Sequence, residues 1–412
     1  MQLVERRIIK PSHEAWSRID EMSFAAKNLY NVANYNCRQA YFNGGEKLVP
    51  SYNTLYHLIK DSEQYQALPA KVAQQTLMLV SQNWLAYFAG LEKYQIAPHE
   101  FTGKPKPPKY LDKDGRHVLT FTEQATSKTS LAIGLIKLST IDYVFDSQIV
   151  LGRVNIYCQS RIVPKLNHYV LEIVYEVADP AIKQSDQVAS IDLGIDNLMA
   201  VTSNVPGFQP VLINGRPLKS LNQFYNMKRA QLQSDSGLRT SKRLKHLTTS
   251  RNHKVKDYLH RASRVVIDLL VDADITTLVI GKNPDWKRNT QLGRANNQNF
   301  VQIPHSQLIA MLSYKGALAG IKVITQEESY TSKSSFLDLD LIPTYGAKPS
   351  YWKPSGTRIK RGLYKSKRHL INADVNGSYN ILVKAFPDAF GIGDREVLVH
   401  PRKINLPGYA PM

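Results

Sequence analysis

The chain has 412 residues, 43% of them apolar, and a formal net charge of +19, so it is too long for one ordinary core and too apolar to be disordered, and its surplus of cations points to a phosphate backbone as partner. Its two cysteines, Cys37 and Cys158, lie far apart and form no CxxC pair, which excludes a cysteine-ligated zinc site and fits a reducing cytosol. No signal peptide opens the chain, no basic amphipathic helix offers a clean apolar face, and the longest apolar run, Val265 to Ile280, is broken by Asp268, Asp272 and Asp274, so a membrane role is not expected.

In chain order, residues 2 to 10 read as a short strand and residues 14 to 96 as helical. Ala73, Leu77, Val80, Trp84, Tyr87 and Leu91 recur at spacings of four and three and form one apolar stripe, the pattern of a core-facing helix. Residues 103 to 110 (GKPKPPKY) form a basic, proline-rich connector that cannot be helix. From 117 to 178 the pattern is β. Tyr169, Leu171, Ile173, Tyr175 and Val177 alternate with more polar residues, which suggests a small antiparallel barrel or sandwich completed by the N-terminal strand. A polar linker, Asp179 to Gln187, follows.

From Val188 the pattern becomes α/β: strands over 188–203 and 209–214, a long basic helical region over 217–272, a strand over 275–281, and a polar loop over 282–300. A helix over 305–319, a strand over 321–327, a basic loop over 329–370 and a final helix over 374–386 complete it. A hairpin followed by alternating β and α units is the order of an RNase H-like fold. Arg216 to Arg264 holds thirteen Lys or Arg against two acids, and Trp352 to His369 holds seven with no acid. One-signed stretches of this kind are usually solvated faces, but two of them bracketing one acidic site favour nucleic-acid contact.

The acidic site is built from three places. Asp192 lies in an apolar strand (Ser190-Ile191-Asp192-Leu193-Gly194), where a lone carboxylate needs a partner, and Gly194 leaves room for a backbone or a phosphate to approach. Asp374 opens the last helix, where an aspartate could equally be an N-cap. Glu327 and Glu328 end the strand after the one closing in Gly281. Neighbouring strands are about 4.8 Å apart, so a glutamate there reaches the site, and strand alternation points only one of the pair inward. Phosphodiester hydrolysis by two divalent ions about 3.5–4 Å apart needs such carboxylates, and magnesium suits oxygen ligands. A DxG segment also serves the actin-like phosphotransferases, but the charge and the lack of a second glycine-rich phosphate turn speak against them. No GxSxG or HExxH motif supports other hydrolytic chemistry.

With these residues in hand, the chain resembles the TnpB family of transposon-encoded RNA-guided nucleases, from which miniature type V CRISPR effectors descend. SIDLGIDNLMAVTS (190–203), DYLHRASRVVIDL (257–269), EESYTSKSSF (327–336), SGTRIKRGLYKSK (355–367) and NADVNGSYNI (372–381) carry the resemblance, with AKNLYNVANYNCRQA (26–40) and PKPPKY. It implies a multidomain α+β fold. A wedge β-barrel would span 1–13 and 100–180, a helical recognition insert 14–99, and an RNase H-like RuvC nuclease domain 181–412 with a cysteine-free target-binding loop at 329–370. The first and last catalytic aspartates map onto Asp192 and Asp374. The usual glutamate position is Gly281 here; a branch of the family carries the glutamate just before the Thr-Ser motif, which gives Glu328, with Glu327 as runner-up. The implied activity is RNA-guided DNA cleavage with two Mg2+ ions, or Mn2+ in their place, and no zinc. A guide RNA and a double-stranded DNA target recognised beside a short flanking motif are the implied partners, one protein per RNA, in the cytoplasm at the nucleoid. Lys242, Arg243, Lys245, Lys254, Arg261, Thr331, Ser332, Lys333, Arg358, Lys360 and Arg361 are candidate nucleic-acid contacts. Gly281 also admits a nuclease-inactive guided repressor, and the genomic source of the guide separates a transposon nuclease from a CRISPR effector.

Overall fold

A computed structural model describes residues 1–43, 49–147, 155–182, 184–283, 302–367, 369–391 and 397–408. The expected polar loop over 282–300 lies outside them from 284 onward. The chain divides into two compact units, Met1–Ala178 and Asp179–Met412.

The first unit runs β1 (Gln2–Ile9), α1 (Trp16–Asn43), α2 (Tyr52–Ile59), α3 (Glu63–Gln66), α4 (Ala70–Ile96), β2 (Leu119–Thr122), α5 (Lys128–Ala132), β3 (Leu135–Lys137), β4 (Val144–Asp146), β5 (Asn155–Pro164) and β6 (Tyr169–Val177). The N-terminal strand pairs antiparallel with β6, from Gln2↔Glu176 to Ile9↔Tyr169, in a sheet of order β1-β6-β5-β2; β3 and β4 form a separate hairpin. The α4 stripe is buried at Ala73, Leu77, Val80 and Trp84, and partly covered at Tyr87 and Leu91. Trp84 donates its indole N–H to Asn34 Oδ1 at 3.0 Å, tying α4 to α1. Prolines deprive the 103–110 connector of ladder partners, and α1 supplies them: Asn34 and Arg38 donate to the Pro108 carbonyl, and Asn31 exchanges two bonds with Leu111.

The second unit opens with an antiparallel meander, β7 (Val188–Leu193), β8 (Asn197–Ser203) and β9 (Val211–Asn214). It continues through α6 (Arg216–Ser236), α7 (Lys242–Asp272), β10 (Thr277–Gly281), α8 (His305–Leu318), β11 (Lys322–Gln326), β12 (Thr357–Lys360), β13 (Leu363–Lys365), β14 (Leu370–Asn372), α9 (Ala373–Ala385) and β15 (Arg402–Ile404). The main sheet has the order β11-β10-β7-β8-β9-β15, with β10 parallel to β7 and β11 parallel to β10. The helical region over 217–272 is two helices rather than one. Gly237 ends α6 in the left-handed region (φ +64°), and the Ser241 side chain caps α7 by accepting from the Leu244 N–H. The basic segment 329–370, expected as loop, contains the three-stranded sheet β12-β13-β14. Its strands are three or four residues long and largely solvent-facing, so they carry no apolar alternation. Among the described residues no helix is long and apolar enough to cross a membrane.

Candidate active site

Strand alternation on β7 creates the site. Ala189, Ile191 and Leu193 enter the apolar cluster that also holds Tyr258, Val266 and Leu308. Ser190 and Asp192 therefore face the opposite side, where α9 lies. The helix can approach closely because its contact face is small: Ser190, Thr202 and Ser378 join their hydroxyls at 2.9–3.1 Å, and Ser190 also donates to the Ser378 carbonyl at 2.6 Å. All three side chains are buried. Each such bond contributes about 1 kcal/mol net, and an orphaned partner costs about 1–3 kcal/mol, so the network fixes where the helix sits. Gly194 does admit a backbone: a Cβ there would stand 2.5 Å from the Asn197 carbonyl oxygen, in the tight turn from β7 to β8.

Asp374 is not the helix cap. Asn372 takes that role, its side chain accepting from the N–H groups of Asp374 and Val375 at 3.0 and 3.2 Å. The Asp374 carboxylate is left to face the site, where Asn197 Nδ2 donates to Oδ2 at 2.8 Å and Arg358 Nη2 lies 3.6 Å from Oδ1. The two glutamates after β11 separate as alternation demands. Glu327 turns to Lys384 Nζ at 2.5 Å and to the Ser329 N–H at 2.7 Å. Burial alone would raise its pKa, but these donors more than offset that and leave it below the ordinary carboxylate value. Glu328 turns to Gly281, where a Cβ would stand 2.6 Å from Oε2. Burial, with the neighbouring Glu327 charge adding to it, pushes Glu328 up to about 7.

Asp192 feels both of the others. It keeps a partial opening to solvent, yet burial first, then the charges of Glu328 and Asp374, hold its pKa well above the ordinary range against the opposing charge of Arg358. As the side chains stand, no three acidic, histidine or cysteine groups among the described residues converge on one ion. The donor set is nevertheless that of a hard divalent cation: three oxygen anions, two of them held at raised pKa by burial and by like charge, a cost that a bound cation would relieve.

The cationic candidates divide. Lys242, Arg243, Lys245, Lys254 and Arg261 are all exposed on α7, with Arg261 paired to Asp257 at 3.0 Å. Ser332, Lys333, Arg358, Lys360 and Arg361 are exposed, and Arg361 reaches Asp196 at 2.9 Å. Thr331 differs: it is buried, and its hydroxyl donates to the Glu328 carbonyl at 2.8 Å, so it shapes the turn rather than facing a partner. Three polar side chains at the site escaped sequence reading. Asn197 belongs to the DLGIDN segment and was within reach of it; Asn283 and Lys384 come from distant segments and carry no local signal.

Comparison with known proteins places these parts. Residues 172–287 match the family model OrfB_IS605, described as "Probable transposase", and residues 305–381 match the Cas12f1-like TNB domain. The chain is 25% identical over 227 residues to the CRISPR-associated endodeoxyribonuclease Cas12f2 of Micrarchaeota archaeon (strain CG1_02_47_40). That match takes in 53% of this chain and 40% of the relative, so less than half of the relative's length is spanned. The structure aligns with a Cas12f1 chain solved as a Cas12f1-sgRNA-target DNA complex at a TM-score of 0.50, with 14% identity, over 88% of this chain and 81% of that one, a likeness of fold. The two family matches cover the segments that contribute Asp192, Glu328 and Asp374, and through them the chain is similar both to the TnpB-type transposases and to the miniature type V effectors.

Proposed function

We propose that this protein is an RNA-guided DNA endonuclease whose RuvC-type site is formed by Asp192, Glu328 and Asp374. The observation that carries the reading is the relocated glutamate: Glu328 stands over Gly281 on the neighbouring strand, so the glycine at the usual glutamate position is the space the side chain needs. That arrangement argues against an inactive guided repressor, which has no reason to keep a carboxylate buried at a raised pKa beside Asp192.

The three carboxylates would hold the divalent ions, magnesium by preference and manganese as substitute, which when bound supply an activated water and stabilise the leaving oxygen. The protein's own part is to hold the oxygens in place. Asn197 fixes the Asp374 carboxylate, and the Ser190–Thr202–Ser378 hydroxyls fix α9 against β7. Arg358 brings a positive charge to the rim of the site, where a scissile phosphate would lie. The exposed cations of α7 and of the β12–β14 sheet would hold the backbones of a guide RNA and its DNA target, and base pairing would read the sequence. The guide-bound protein would meet its target in the nucleoid.

Asp192→Ala tests the site. It should abolish magnesium-dependent cleavage, by at least a hundredfold, while the protein still co-purifies with its RNA. Undiminished cutting by that variant would refute the site assignment, and absence of any defined RNA from the purified parent would refute the guided reading.

A further inference from the structure

We propose that Asn283 and Lys384 are positioning residues that aim Glu328, rather than Glu327, at Asp192. The inference rests on the reading of Glu328 as a metal ligand and extends it to the residues that make it one.

Two adjacent glutamates at a strand end can exchange roles by a one-residue slip, because such a slip reverses every side chain. Two holds prevent it here. The first acts on Glu327. Lys384 on α9 spends all three ammonium protons on Glu327 Oε2 at 2.5 Å, the Ser329 carbonyl at 2.9 Å and the Pro343 carbonyl at 2.9 Å. Its side chain is 8% exposed and that of Glu327 is 23% exposed, so releasing either partner strands a charge in poorly solvated surroundings. The second hold acts on Glu328. Asn283 lies two residues beyond the end of β10. Its Oδ1 accepts the Glu328 N–H at 3.1 Å, and its Nδ2 donates to Glu328 Oε1 at 3.4 Å. The buried Thr331 hydroxyl takes the Glu328 carbonyl. The backbone N–H, the carbonyl and one carboxylate oxygen of Glu328 are thus engaged, and Oε2 is the oxygen left over Gly281. Groups that orient a metal ligand in this manner typically change metal affinity by about 10–100-fold when removed.

The test is a manganese titration of the full-length, RNA-loaded protein by calorimetry, with melting temperature in EDTA measured alongside. Asn283→Ala and Lys384→Met should each raise the manganese midpoint by about tenfold, with cleavage recovering toward the parental rate at saturating metal. A purely structural role would lower the EDTA melting temperature and leave the manganese midpoint unchanged, which would overturn the proposal. Glu328→Gln separates the two levels of argument. If it loses manganese binding while Asn283→Ala and Lys384→Met keep the parental midpoint, the positioning role fails and the ligand assignment stands. If Glu328→Gln itself keeps the parental midpoint, the ligand assignment fails. Asn283→Ala, whose side chain is partly exposed, decides the matter should Lys384→Met not fold.

Discussion

Gly377 lies in mid-helix on α9, where glycine costs about 0.5–1 kcal/mol relative to alanine, yet a Cβ at that position would stand 2.7 Å from Asp192 Oδ2. The residue trades helix stability for room beside a carboxylate. Gly377→Ala should therefore leave the melting temperature within about 2–4 °C of the parent, since the helix gains what the contact loses. It should nonetheless reduce cleavage at least tenfold by displacing Asp192, and rates measured across a magnesium series would register the difference. Gly281 is the counterpart on the other flank, with Glu328 Oε2 at 2.6 Å and Ile381 Cδ1 at 2.5 Å from the place of its missing Cβ. At this scale the sequence was readable where burial makes a polar group conspicuous. Asp192 stands out in its apolar strand, and strand spacing with alternation admits one of Glu327 and Glu328, the choice of Glu328 resting on the resemblance. The sequence misled at Thr331, because a hydroxyl that caps a turn and one that meets a phosphate look the same before the backbone is known. Asn283 and Lys384 were invisible because each acts 45 or 57 residues from the glutamate it holds.

Segment 329–370 holds its form without cysteines. Two aspartates do much of the tying. Asp340 accepts from the N–H groups of Ser335 and Ser355 at 2.7 and 2.9 Å and from the Ser355 hydroxyl; Asp338 accepts from the Ser335 hydroxyl at 2.6 Å and from the Lys367 N–H. Trp352 adds an indole bond to the Leu341 carbonyl at 2.8 Å, and Phe336 stacks on Tyr379 with ring centres 4.4 Å apart. Asp340→Ala would orphan the backbone donor of buried Ser335 at about 1–3 kcal/mol and release the exposed Ser355 N–H to water. Hydrogen exchange over 335–355 should accelerate roughly tenfold or more, while exchange in β7 stays at the parental rate. The long elements of this half were legible because β7 to β11 are apolar runs bounded by turn signals. The three short strands were not, for at three or four residues each they are too short to show an apolar period. The break between α6 and α7 does carry a local signal, Ser234-Asp235-Ser236-Gly237 followed by Thr240-Ser241, and the left-handed backbone of Gly237 shows where the first helix ends.

Across the whole molecule the surplus of +19 acts as a field rather than as separate contacts. Lys242, Arg243, Lys245, Lys254 and Arg261 all project from α7 into solvent. If each neutralises a phosphate of the guide, replacing all five by alanine should flatten the dependence of log affinity on log salt by about 3.5 units, at about 0.7 per single-strand contact. RNA-binding isotherms between about 50 and 200 mM salt would measure it. The placement of α9 bears on how such a protein is made. The helix comes late in the chain yet brings Asp374, Gly377, Ser378 and Lys384 to strands made long before it. On the ribosome, where earlier segments emerge and begin to fold first, β7 to β11 can form a sheet while the acidic cluster still lacks Asp374 and Glu327 still lacks Lys384. The proposed site is thus completed only once α9 has been made. A truncated translation product that stops before residue 374 would carry the cationic helix α7 but not the last carboxylate of the proposed site, so on the function proposed above it would bind nucleic acid without cleaving it.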